Sequence, residues 1–126
     1  MEDVSRRRVW WILLGLWAAT IFALSSIPGT SIPAPAFLGI DKLVHFLVFA
    51  VLGALAALAW RRLGPAIAIA IVWGILDELH QRYTPNRDSS VYDAIADALG
   101  AACGAALALW LAERRIRRRE RNGDRP

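Results

Sequence analysis

The sequence predicts an all-α protein, a bundle of four transmembrane helices with both termini on the cytoplasmic side. Three observations carry that expectation. In 126 residues, 56% are hydrophobic, and the mean hydropathy of +0.38 is too apolar for a soluble core of this size. Four apolar runs each approach the roughly 20 residues that a helix needs to cross a bilayer. Lysine and arginine gather at alternate ends of those runs, as the positive-inside rule requires.

Residues 1–8 are a basic lead containing Arg6, Arg7 and Arg8, and Val9 to about Ile27 is long enough to span. A signal peptide is the competing reading, because Ala23-Leu24-Ser25 loosely resembles a small-residue cleavage site. The apolar run is longer than a usual signal core, so a retained first helix is expected. Pro28 to Ile40 holds three prolines and two glycines and reads as an irregular loop at the membrane surface.

The second span runs over residues 43–60, with Asp41 placed to cap it. Arg61 to Gly64 forms a tight turn, and Pro65 opens the third span over residues 66–83. Pro85-Asn86-Arg87-Asp88 is turn chemistry. The fourth span covers residues 91–112, and Ser90-Val91-Tyr92-Asp93 matches a capping box at its start. Gly100 and Gly104 form a small-xxx-small pair on it, which lets another backbone come close. Cys103 reads as a small packing residue, and a lone cysteine excludes an internal disulfide. Residues 113–126 form a basic tail, so the transmembrane domain covers residues 9–112. Such tails suit orientation and anionic headgroups better than nucleic acid, which is not expected as a partner. Trp10, Trp11, Trp60 and Trp110 lie at the basic ends and Tyr83 and Tyr92 at the opposite ends, giving the same topology independently.

The functional signal is the stretch from Asp77 to Asp97. Asp77 and Glu78 follow only eleven residues of AIAIAIVWGIL, about 16 Å of helix and half a bilayer. The third helix must therefore continue through the acids, and ionisable groups at that depth are functional-site candidates. Asp41, His45, Phe49 and Gly53 repeat every four residues on one stripe. Gly74, Glu78 and Gln81 share a face, from which Asp77 is turned by about 100°. Asp93, Asp97, Gly100 and Gly104 share another. Lipid rejects such stripes, so they are expected to face inward and meet on the outer side.

The expected binding set is Asp41, Lys42, His45, Glu78, Gln81, Arg87, Asp93 and Asp97. Arg87 and Lys42 would hold a phosphate or carboxylate of an amphiphile. Alternatively, carboxylates at different depths would differ in acidity, so Glu78, Asp97, Asp93 or His45 could act as acid or base in an intramembrane hydrolase or transferase. A proton-coupled transporter or assembly subunit is a third possibility, one for which four short helices leave little room without a homo-oligomer. Asp41, His45, Glu78, Asp93 and Asp97 are also metal-type ligands, but no HExxH or Cys/His spacing accompanies them, so neither metal nor cofactor is expected.

Taken as an ordered set, Asp41-Lys42-x-x-His45-Phe46-x-x-Phe49-x-x-Leu52-Gly53, Asp77-Glu78-x-x-Gln81, Pro85-x-Arg87, Asp93-x-x-x-Asp97 and Gly100-x-x-x-Gly104 resemble the VanZ-like family of small bacterial membrane proteins. The match covers Asp41 to Gly104. It departs at Asp97, where the family commonly has Asn and this chain adds a charge. The resemblance implies a multi-pass protein of the bacterial inner membrane, connected with resistance to teicoplanin-type lipoglycopeptides. A general envelope role, with a membrane lipid, a lipid-linked cell-wall precursor or a lipoglycopeptide as ligand, fits it equally.

Overall fold

The computed structural model describes residues 2–31, 39–87 and 90–123. Four helices follow in order: α1 Glu2–Ser25, α2 Ile40–Trp60, α3 Leu63–Gln81 and α4 Val91–Arg121, with a 3-10 turn at Gly29–Ser31. All four are long and apolar enough to cross a membrane. Most of the predicted loop before α2, and Asp88, lie outside the described residues.

The distribution of polarity is the reverse of a soluble domain. Val44, Leu47, Val72, Ile75 and Leu99 are each at least half exposed, while Asp97 is 1%, Gln81 3% and Asp77 5% exposed. In water this arrangement would waste apolar area and desolvate charge, whereas in lipid it is the expected one. Between the helices lie small residues, among them Ala56, Ala57, Ala66, Ala70, Ala101 and Ala105, with Phe49 the largest apolar side chain fully enclosed.

The most extensive helix contact is between α2 and α4, and the lack of side chains causes it. A Cβ on Gly53 would land on the Ala101 carbonyl, one on Gly100 on the Phe46 carbonyl, and one on Gly104 on the Ala50 carbonyl. The two helices run parallel, backbone against backbone, so the small pair at Gly100 and Gly104 acts as expected. Cys103 does not share this role, because it is exposed on the outer face of α4.

On the other side, α1 runs antiparallel to α2. Trp17 Nε1 donates to the Val48 carbonyl at 3.0 Å, Arg7 Nε donates to the Ala59 carbonyl at 3.1 Å, and Trp11 meets Trp60 edge to face at 4.4 Å. The helix ends correct several local expectations. The α2 cap is Gly39, in the left-handed region at φ 88°, which makes Asp41 the second residue of the helix, in its first turn and near the positive end of the helix dipole. The α2–α3 turn is only Arg61 and Arg62, so Pro65 is the third residue of α3, still within the turn whose N–H groups have no helical partner. The fourth helix does not stop near residue 112, but continues through the arginines to Arg121. In a run of arginines and glutamates, high helix propensity and the Glu113–Arg117 pair at 3.7 Å favour that extension.

Replacing Gly53 with Leu is expected to lower the detergent melting temperature sharply, beyond the ~1–3 kcal/mol of ordinary overpacking, because backbone must move. Gly15→Ala, with nothing within 4 Å of the added carbon, is the control and should melt no lower than the parent. Thermal unfolding of the purified protein measures both.

Candidate functional site

The α2–α4 contact sets the distance between two polar stripes. One turn beyond the glycines, His45 Nδ1 and Asp97 Oδ1 are 3.0 Å apart. At the mouth of the bundle, Lys42 Nζ donates to Asp93 at 2.9 Å and to its neighbour Asp41 at 2.7 Å. Asp41 is half exposed and Asp93 is enclosed, so Lys42 bridges a rim acid to an interior one.

The third helix adds Glu78. Its Oε2 accepts the backbone N–H of Ser90 at 2.9 Å, the donor that the third helical residue would take in a capping box. The Ser90 hydroxyl caps α4 by accepting from Tyr92 N at 3.2 Å. Half of the predicted box therefore forms. Asp93, its expected acid, pairs with Lys42 while Glu78 of the neighbouring helix takes its place.

His45, Glu78 and Asp97 form one cluster, with a donor atom from each lying within 4.8 Å of the others. Phe49 and Gly74 close it on the side facing the glycines, where a Cβ on Gly74 would sit 3.3 Å from both the Phe49 ring and the Asp97 side chain. Glu78 and Asp97 each keep one oxygen, Oε1 and Oδ2, buried without a hydrogen-bond partner.

Gln81 does not join this cluster. It donates to Asp77 at 2.8 Å and approaches Ser25 of α1 at 3.5 Å, while Thr84 donates to the Ser25 carbonyl at 3.2 Å. Asp77, turned away from Glu78 by the helical pitch, thus belongs to a second buried polar group between α3 and α1. Its membership was not legible because Ser25 sits at the end of an apolar run. His80 is likewise drawn to α1. It stacks on Phe22 at 4.4 Å and bonds the Ser26 hydroxyl at 2.9 Å.

Arg87 lies in the turn between α3 and α4, with its backbone N–H on the Thr84 carbonyl at 3.3 Å and its Nε buried without a partner. Gly29 N donates to the Pro85 carbonyl of the same turn at 3.0 Å, which ties the end of α1 to it. The cationic partner of Asp93 is Lys42, and His45 is the partner of Asp97.

The family described as VanZ/LLP1 matches residues 9–112 of the chain, and the chain belongs to it. No curated protein matches, and no solved structure does.

Glu78→Gln should keep the melting temperature close to the parent's, because an amide oxygen still accepts the Ser90 N–H. Glu78→Leu should cost about 1–3 kcal/mol by orphaning that donor. Thermal unfolding together with hydrogen exchange at the Ser90 amide reads both, and equal behaviour of the two variants would remove Glu78 as the cap of α4.

Proposed function

We propose that this VanZ/LLP1 protein holds the head of an amphiphilic envelope molecule in the acidic end of its bundle, which opens on the outer face of the bacterial inner membrane. The observation that carries this reading is the set of buried polar side chains with spare acceptors, gathered at one end of a bundle whose outside is apolar. Buried acceptors without donors favour a ligand rich in O–H and N–H groups, since burial without a partner is costly. Arg87 in the turn, its Nε without a partner, supplies the charge for a phosphate or carboxylate of the same molecule, and Lys42 at the rim reaches it by exchanging Asp41 or Asp93 for the ligand. A lipid-linked cell-wall precursor combines both chemistries with an acyl anchor, and a lipoglycopeptide does so as well. Resistance to teicoplanin-type drugs would follow from such binding.

At the opposite end, a groove of about 670 Å³ is lined by Arg6, Arg7, Arg61, Arg115 and Arg119 over Trp10. We assign it to anionic headgroups of the cytoplasmic leaflet, a reading that goes with both termini inside.

One observation favours acid–base chemistry as a second reading. An imidazole oriented by a buried carboxylate, as His45 is by Asp97 at 3.0 Å, is an arrangement that hydrolases use to move protons.

Binding of a lipid-linked precursor and of teicoplanin to the purified protein, followed separately by native mass spectrometry, should fall at least about tenfold in Arg87→Ala and in Glu78→Gln. Unchanged affinity in both variants would defeat the proposal, and full cellular function of Glu78→Gln would defeat the acid–base reading. The topology has its own check. In a Cys103→Ser background, Asn86→Cys should react with a membrane-impermeant thiol reagent in intact cells, and Asn122→Cys should not.

A further inference from the structure

We propose that His45, Glu78 and Asp97 form a binding site for one divalent transition-metal cation, Zn²⁺ before the others. The three donors come from α2, α3 and α4, one from each, and lie within 4.8 Å of one another. Ligands around a single ion at ~2.1 Å stand about 3–4 Å apart, so a small inward movement completes the set.

Proximity of acids alone would not carry the inference. The independent observation is that Asp97, 1% exposed, and Glu78, 8% exposed, each present a buried oxygen with no hydrogen-bond partner. A bare carboxylate oxygen in a dry interior is costly, and a cation is the partner that satisfies two of them at once. Lys42 is already engaged by Asp41 and Asp93.

The remaining contacts resemble the outer support that metal sites use. Ser90 N–H holds Oε2 of Glu78 and leaves Oε1 for an ion, while Phe49 and Gly74 wall Asp97 on one side. One imidazole with two carboxylates and no thiolate suits Zn²⁺ or Mn²⁺ over Ca²⁺ or Mg²⁺, which take oxygen ligands. On binding, the cation replaces any proton shared between His45 and Asp97, and that proton leaves to water.

Three protein ligands leave an open coordination position. Only the occupant of that position, a phosphate oxygen of the envelope molecule, rests on the function proposed above. The site itself does not.

The test is metal loading of the full-length protein, purified in detergent without a histidine tag, stripped by chelation and titrated with Zn²⁺, Mn²⁺ and Mg²⁺. We expect about one Zn²⁺ per chain by elemental analysis, with a melting temperature that rises with Zn²⁺. Affinity should fall at least about 100-fold in His45→Ala and in Asp97→Leu, and stay unchanged in Asp77→Asn. Each variant is scored for monodispersity, and the milder Glu78→Gln and Asp97→Asn report should the others fail to fold. Substoichiometric Zn²⁺ on the parent protein, or equal loading in the cluster variants, overturns the site. Precursor binding is then measured with and without Zn²⁺. Zinc bound without precursor keeps the site and removes the amphiphile reading, whereas precursor bound by a protein that takes no zinc does the reverse.

Discussion

The parallel contact of α2 and α4 is the constraint on which the rest of the structure depends. Gly53, Gly100 and Gly104 place carbonyls of one helix where side chains of the other would stand. Without a hydrophobic drive between helices in lipid, such close van der Waals packing is what holds two spans together. Everything polar at the acidic end inherits its geometry from that contact. His45 and Asp97 stand one turn beyond it, and Lys42 and Asp93 stand beyond them. Glu78 closes the cluster from α3 and at the same time caps α4.

This arrangement explains how so many acids can be enclosed in so small a protein. Asp93 is neutralised by a lysine, Asp97 faces an imidazole, Glu78 takes a helix N-terminal donor, and Asp77 takes an amide. Each carboxylate has a different kind of partner, contributed mostly by a different helix. The compensation is incomplete, since Asp77, Glu78 and Asp97 each retain one unpaired oxygen. Fully matched interiors stabilise a fold, whereas interiors with spare acceptors are suited to receive something else.

Much of this was legible in the sequence because helical periodicity is regular. The four-residue spacing of His45, Phe49 and Gly53 and of Asp93 and Asp97, with Gly100 three residues further on, places these residues on the faces that meet. The depth of Glu78 in an apolar run marks it as interior. What escaped was whatever depends on a second helix. The capping box reads correctly as local grammar, yet its acid is supplied by α3, and no spacing rule within one segment can show that. The three candidate metal donors fail every linear motif for the same reason. Gln81 shares a face with Glu78 by spacing, but the hydroxyl of Ser25 and its own i−4 neighbour Asp77 draw it toward α1. Cys103 lies in an Ala-rich run whose two sides cannot be told apart until the partner of Gly100 and Gly104 is known.

The continuity of α4 has a further consequence. Its 31 residues run without a break from the first turn, which carries Asp93, to Arg121, roughly 46 Å at 1.5 Å per residue. No loop separates the acids, the glycines and the arginines, so a single inserted or deleted residue within it cannot be absorbed locally. Everything downstream would be rotated by about 100°, and an indel between Asp97 and Gly100 would turn either the carboxylate or the glycines off their shared seam. Natural relatives of this chain should therefore vary in length on either side of this helix and keep a constant count within it.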